Sequence, residues 1–139
     1  MAMVSPRIVR PEEVPEIVWP GGGRGRRMVH PDVVGSKKLV LGIIRAEPGK
    51  SPHRWHTHTR DKGEGFEVEY PPDFEEAYAV IKGKGTLFWR EGGREMSAPV
   101  REGDVIYFPI GVAESQLVNT GDEDLVIVFA TTPPVKIMK

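Results

Sequence analysis

With 139 residues the chain fits one domain, long enough to build a hydrophobic core without covalent staples. It has no cysteine, which removes disulfide, zinc–thiolate, iron–sulfur and thiol-nucleophile chemistry and leaves nitrogen and oxygen to hold any metal. The formal net charge of -1, with both signs mixed along the chain, offers no footprint for nucleic acid or an anionic membrane; no apolar run spans a bilayer, the start is unlike a signal peptide, and a soluble cytoplasmic protein is expected.

Thirteen prolines and 16 glycines spread over the whole length favour many short strands joined by turns over a helical bundle. Residues 1–36 read as an N-terminal arm and loop. Prolines at 6, 11, 15 and 20 forbid a long helix or central strand there, although a short helical turn fits "PEEVPEI". Gly21 to Gly25 with Arg24, Arg26 and Arg27 reads as a basic loop, either a solvated turn or a mobile segment that meets an anionic substrate.

Residues 37–132 read as a β-barrel core. "KKLVLGIIRA" is a strand closed by "EPGKSP", and the next strand carries Trp55 to Thr59. The charged, turn-rich interval from Arg60 to Phe74 is an excursion, expected to form an extra hairpin or a lid over a site. From Glu76 the pattern is regular: "EAYAVIKG", a pair of strands around Gly92 and Gly93, "DVIYF", "SQLV" and a last strand "LVIVFATTPP". Several of these are apolar on both faces, which is best met by an all-β, closed double-sheet barrel that forms a homodimer.

His56 and His58 are two apart, so an extended strand points both imidazoles to one face. With a carboxylate from a neighbouring strand, Glu76, they make a divalent transition-metal site. His53, three and five residues from that pair, faces away from it on a regular strand. The same alternation puts Tyr78 on the face of Glu76 and Glu75 toward solvent. One face of the strand near Tyr107 is expected to line the same cavity, with Val80 and Phe108 better suited to the barrel core than Tyr78 and Tyr107. Arg54 shares the parity of His56, and Trp55 faces the opposite way.

Two spacings stand out. The first is Gly49, His56-Thr-His58, Glu76 and Gly83; the second is Gly103, five residues, Pro109-Ile-Gly111, two residues, Glu114, four residues and Asn119. Together they resemble the two motifs of a small single-domain cupin. The family carries Gly, His-x-His, three or four residues, Glu, six residues and Gly, then Gly, five residues, Pro-x-Gly, two residues, His, three residues and Asn. Here 17 residues separate His58 from Glu76, and Glu114 stands where counting forward from Gly111 places the second-motif histidine, with one additional residue before Asn119.

The resemblance implies a jelly-roll barrel, or double-stranded β-helix, forming a single cupin domain over residues 1–139. It implies a metal held by His56, His58, Glu76 and, in place of the absent histidine, Glu114, with Fe(II), Mn(II), Ni(II) or Zn(II) as the ion. If Glu114 is not a ligand, a two-histidine, one-carboxylate triad remains, and Glu114, Gln116 or Tyr78 is left to handle a proton. The implied function is a metal-dependent enzyme acting on a small organic acid or carbonyl compound, a dioxygenase-type oxidoreductase. Its alternatives are an isomerase, epimerase or lyase of sugar or sugar-phosphate type, and a non-catalytic cupin that binds a small ligand. "HTH" and "EEAYAVIKGKGTLFW" are also similar to archaeal cupin sugar-phosphate isomerases, and the arginines at 24, 26 and 27 favour a carboxylated or phosphorylated substrate.

Overall fold

Alternation of β-branched and aromatic residues builds about half of the described chain into strands, with side chains sorted to the two faces of each sheet. The computed structural model describes residues 4–58, 60–63 and 66–138, the side chains at 60–63, 66–67 and 136–138 excepted. In chain order the strands are β1 (Ile17–Val18), β2 (Arg24–Val29), β3 (Val40–Ala46), β4 (His53–His56), β5 (Arg60–Gly63), β6 (Phe66–Glu69) and β7 (Glu76–Lys82). They continue as β8 (Lys84–Glu91), β9 (Arg94–Arg101), β10 (Val105–Phe108), β11 (Ser115–Val118), β12 (Leu125–Thr131) and β13 (Lys136–Met138). A 3-10 turn at Pro11–Glu13 and one short helix, α1 (Pro31–Val34), complete the elements.

Six strands form one sheet in the order β1-β2-β3-β12-β7-β10, and four form a second in the order β4-β11-β8-β9. The core lies between them. Val40 and Ile44 of β3, Leu125, Ile127 and Phe129 of β12, Tyr78 and Val80 of β7 and Ile106 and Phe108 of β10 turn inward to meet Leu117 of β11. Leu125 and Ile127 are fully buried, so truncating either to alanine would cost about 2–5 kcal/mol. Gly42 is required where it stands, because a Cβ there would come within 2.5 Å of the Phe129 ring. Gly83 joins β7 to β8 at φ +83, and a Cβ would lie 2.5 Å from the Asp124 carbonyl oxygen.

The segment read as arm and loop contributes directly to this sheet. Arg24–Val29 is not a loop: it pairs along β3, where Gly25 opposes Ile44 and Arg27 opposes Gly42. The reason is steric, since a Cβ at Gly25 would lie 2.0 Å from the Ile43 carbonyl oxygen, and glycine lets the two backbones meet. Trp19 follows from β1 into the core and packs edge-on against Phe129 at 6.0 Å.

The expected hairpin in the 60–74 excursion is present as β5 and β6, and β13 adds to it to give a third sheet in the order β13-β6-β5. The two motif regions are fastened by backbone bonds, Gly49 N–H to Asn119 O at 2.9 Å and Asn119 N–H to Lys50 O at 2.9 Å. Asn119 itself is buried. Its Nδ2 donates to the carbonyls of Ala46 and Glu123, and its Oδ1 accepts from Gly121 N–H. No helix among the described residues is long and apolar enough to cross a membrane.

Candidate metal centre and its cavity

The site is set by an irregularity in β4. Against β11, Ser115 opposes His56 and Leu117 opposes His53, so three steps along β4 match two along β11. That is a bulge with its extra residue in β4. Gln116 Oε1 accepts the Trp55 N–H inside it at 3.0 Å. The bulge reverses the parity of His53, which a regular strand would have turned away. Instead His53 is buried beside His56, with ring centroids 3.6 Å apart and the two Nδ1 atoms at 2.6 Å.

His56 Nδ1 also lies 2.8 Å from the Arg54 carbonyl oxygen. A carbonyl only accepts, so Nδ1 carries the proton and Nε2 keeps its lone pair. Burial pushes the His56 ring well below its ordinary 6.5, with neighbouring His53 and His58 adding to the fall and the Arg54 carbonyl opposing it. The ring is therefore neutral near pH 7, as a metal ligand must be.

His58 lies just beyond β4, its side chain 4% exposed. Phe74 and Phe108 enclose it edge-on at 5.2 and 5.3 Å. Neither of its ring nitrogens has a hydrogen bond, although Nε2 is 3.2 Å from Glu76 Oε1, an ion-pair distance without hydrogen-bond alignment. Glu76 opens β7 and is only 11% exposed. His56, His58 and Glu76 each offer one donor atom, and these lie within 4.8 Å of one another. Two imidazole nitrogens, a carboxylate oxygen and a buried ring with unsatisfied nitrogens fit a divalent transition ion.

Other candidates fall elsewhere. Glu114 lies outside this group, 44% exposed and 3.6 Å from Arg90 Nε. Gln116 is spent on the bulge, whereas Tyr78 lines the cavity described below and meets Phe108 edge-on at 4.8 Å. Tyr107, expected at the cavity, points outward, 58% exposed, while Phe108 lies in the core as expected. Arg54 is half-buried with Nη1 donating to the Trp55 carbonyl, and Trp55 packs under the Arg90 guanidinium at 4.9 Å. Glu75 is exposed, as expected.

Ser115 deserves notice as the residue that sequence reasoning passed over. Counting back from Asn119, rather than forward from Gly111, places it at the position of the second-motif histidine. It is the partner of His56, buried, with an Oγ that has no hydrogen bond.

A cavity of about 70 Å³ adjoins the cluster through Glu76 and His53 and is walled by Val68, Tyr70 and Phe74 from the excursion. Arg27 and His30 also line it. His30 was not among the expected site residues, and it is buried with Nδ1 accepting from Asp32 N–H at 3.1 Å, so a neutral ring has its proton on Nε2. Its signal was weak: a lone histidine before a proline.

Comparison with known proteins places these features. A sequence model described as Cupin matches residues 62–137, more than half of the chain, starting after the His56–His58 pair and including Glu76. Auxin-binding protein 1 of Arabidopsis thaliana is 41% identical over 69 residues, covering 45% of this chain and 34% of that protein; the chain thus matches about a third of that relative's length. Among solved structures, a protein assigned as a sugar phosphate isomerase from Acidithiobacillus ferrooxidans superposes with TM-score 0.62 at 25% identity, covering 86% of this chain and 67% of that one. One assigned as an oxalate decarboxylase from Thermotoga maritima gives 0.62 at 20% identity over 91% and 99%. The polyketide cyclase RemF of Streptomyces resistomycificus gives 0.68 at 16% over 97% and 85%; at these two identities the likeness concerns the double-sheet fold.

Proposed function

The chain belongs to the cupin family, and from that premise we propose that it is a metal-dependent enzyme acting on a small organic acid or carbonyl compound, with dioxygenase-type oxidoreductase chemistry as the first reading. The observation that carries it is the grouping of His56, His58 and Glu76 beside a cavity, without Glu114. Two histidines and one carboxylate leave coordination positions open for substrate. An Fe(II), Mn(II), Ni(II) or Zn(II) ion in this site would supply Lewis acidity and, if iron, reactivity toward dioxygen.

The chain's own residues do the rest. The Arg54 carbonyl and His53 hold the His56 tautomer and orientation, as outer-shell partners of metal-binding histidines do. Phe74 and Phe108 shield His58 from water, and Tyr78 presents its ring to the cavity. A second reading, isomerase, epimerase or lyase, is favoured by the structural likeness to the protein assigned as a sugar phosphate isomerase. In that reading the same ligands serve a redox-neutral reaction.

Metal analysis of protein purified without chelator tests both. About one equivalent of metal in the wild type, lost in His56→Ala and His58→Ala, is expected; no metal, or equal metal in the variants, removes both enzyme readings. Oxygen uptake dependent on an added organic acid then separates the first reading from the second. Turnover of nothing by the metal-loaded protein leaves a ligand-binding cupin.

We also propose a cytoplasmic homodimer. The outer face of the six-stranded sheet carries Leu41, Ile43, Val126 and Val128, half-buried, and Val105 and Tyr107, exposed, an apolar surface suited to a second copy. Sedimentation should give twice the monomer mass, and Val128→Lys should halve it.

A further inference from the structure

We propose that Arg27 anchors a carboxylate of the substrate, so that this site takes small carboxylic acids with an apolar body; this rests on the reading of the site as a substrate-binding metal centre. Strand alternation separates the three arginines. Arg24 pairs outside with Glu16 at 3.4 Å, Arg26 donates to the Val14 carbonyl, and Arg27, opposite Gly42, lines the cavity that also touches Glu76. Its guanidinium sits 5.8 Å from the centre of the Trp19 ring. Burial lowers its pKa from the ordinary arginine value, against the pull of Tyr70 and Asp32.

Among the described residues Arg27 has no carboxylate in ion-pair contact. A cation drawn partly out of water, with Asp32 acting on it only from beyond ion-pair contact, is costly, and the Trp19 face offsets only part of it. A ligand carboxylate would supply the missing charge and accept two parallel N–H bonds from the planar fork. A single arginine suits a carboxylate better than a phosphate, for which arginine clusters are the common solution. The walls beside it, Trp19, Val40, Ile44 and Phe129, ask for carbon rather than hydroxyls.

The test is an NMR titration of the Arg27 Nε–Hε signal, identified by its absence from Arg27→Lys. Acetate, butyrate and benzoate are added beside acetamide, butyramide, benzamide and inorganic phosphate, to zinc-loaded and to chelator-stripped full-length protein. At least one acid should move the signal at concentrations where its amide does not, in both forms. Arg27→Gln, with its thermal unfolding recorded to verify the fold, should bind that acid at least about tenfold more weakly, the factor expected for a charge-assisted pair. Arg27→Lys, which keeps charge but not the fork, should lose less. The proposal is overturned if no acid moves the signal, if acid and amide bind alike, if Arg27→Gln binds the acid as tightly as the wild type, or if phosphate alone acts. Failure of the metal reading shows separately, as no zinc uptake with the stripped-protein titration still readable.

Discussion

Replacing Glu76 by glutamine keeps the side chain's shape and removes its charge, which isolates what the carboxylate contributes to metal binding. The wild-type site has two imidazoles and one anionic oxygen within 4.8 Å, so the substitution removes its only anionic donor among the described residues. Loss of an outer-shell partner typically costs 10–100-fold in affinity, and loss of a direct anionic donor should reach at least about 100-fold, or ~2.7 kcal/mol. A metal present at about 100 times its Kd stabilises the fold by ~2.7 kcal/mol, and at its Kd by only ~0.4 kcal/mol. A chain of 139 residues unfolds with an entropy of about 290 cal/mol/K near its Tm. The wild-type Tm should therefore rise by about 9 °C on loading, and the Glu76→Gln Tm by about 1–2 °C at the same metal concentration. Thermal unfolding followed by circular dichroism, stripped against loaded, reads both shifts. Equal shifts in the two proteins, or none in the wild type, would refute the assignment of Glu76 as a ligand.

Acidification should weaken the metal-free fold through His56. Because burial depresses its folded-state pKa, the unfolded chain takes up a proton near pH 6.5 that the folded chain refuses. This contribution is intact above that pH and is lost as pH falls toward the folded-state value, at no more than ~1.4 kcal/mol per pH unit. Urea midpoints between about pH 8 and pH 5 should show the decline, and His56→Gln should flatten it. Glu114→Ala should leave metal content unchanged and stability within about 0.5 kcal/mol, since its pair with Arg90 is solvent-exposed; lost metal would return Glu114 to the coordination sphere. Gln116→Ala strands the Trp55 N–H and should cost about 1–2 kcal/mol and lower metal affinity roughly tenfold, while Gln116→Glu, which keeps an acceptor, should restore most of both in calorimetric titrations.

What could be read from sequence was what is locally encoded. Gly92 and Gly93 turn β8 into β9 as expected, and the Glu76-to-Gly83 spacing locates β7 and its turn, because alternation and positive-φ glycines act over a few residues. The His56, His58 and Glu76 group was legible by the same means, through parity and motif spacing. What escaped depends on partners distant in the chain. The β4 bulge that brings His53 inward is defined by its register with β11 and by Gln116, neither visible from "HRWH". In β10 every residue from Val105 to Phe108 is apolar, so the pattern carries no inside and outside: Phe108 lies in the core, as expected, but Tyr107, expected at the cavity, is exposed. Arg27 looked like loop because the glycines before it were read as flexibility, whereas Gly25 serves close packing on β3.

Among the described residues, the hairpin that supplies Val68 to the cavity wall pairs with β13, in a sheet separate from the two barrel sheets, through Lys136–Glu69, Ile137–Val68 and Met138–Glu67. Release of that wall thus requires three residues near the end of the described chain to unzip. Amide hydrogen exchange at 136–138 would consequently act as a gauge of cavity breathing: a ligand that fills the cavity should slow exchange at backbone positions it never touches.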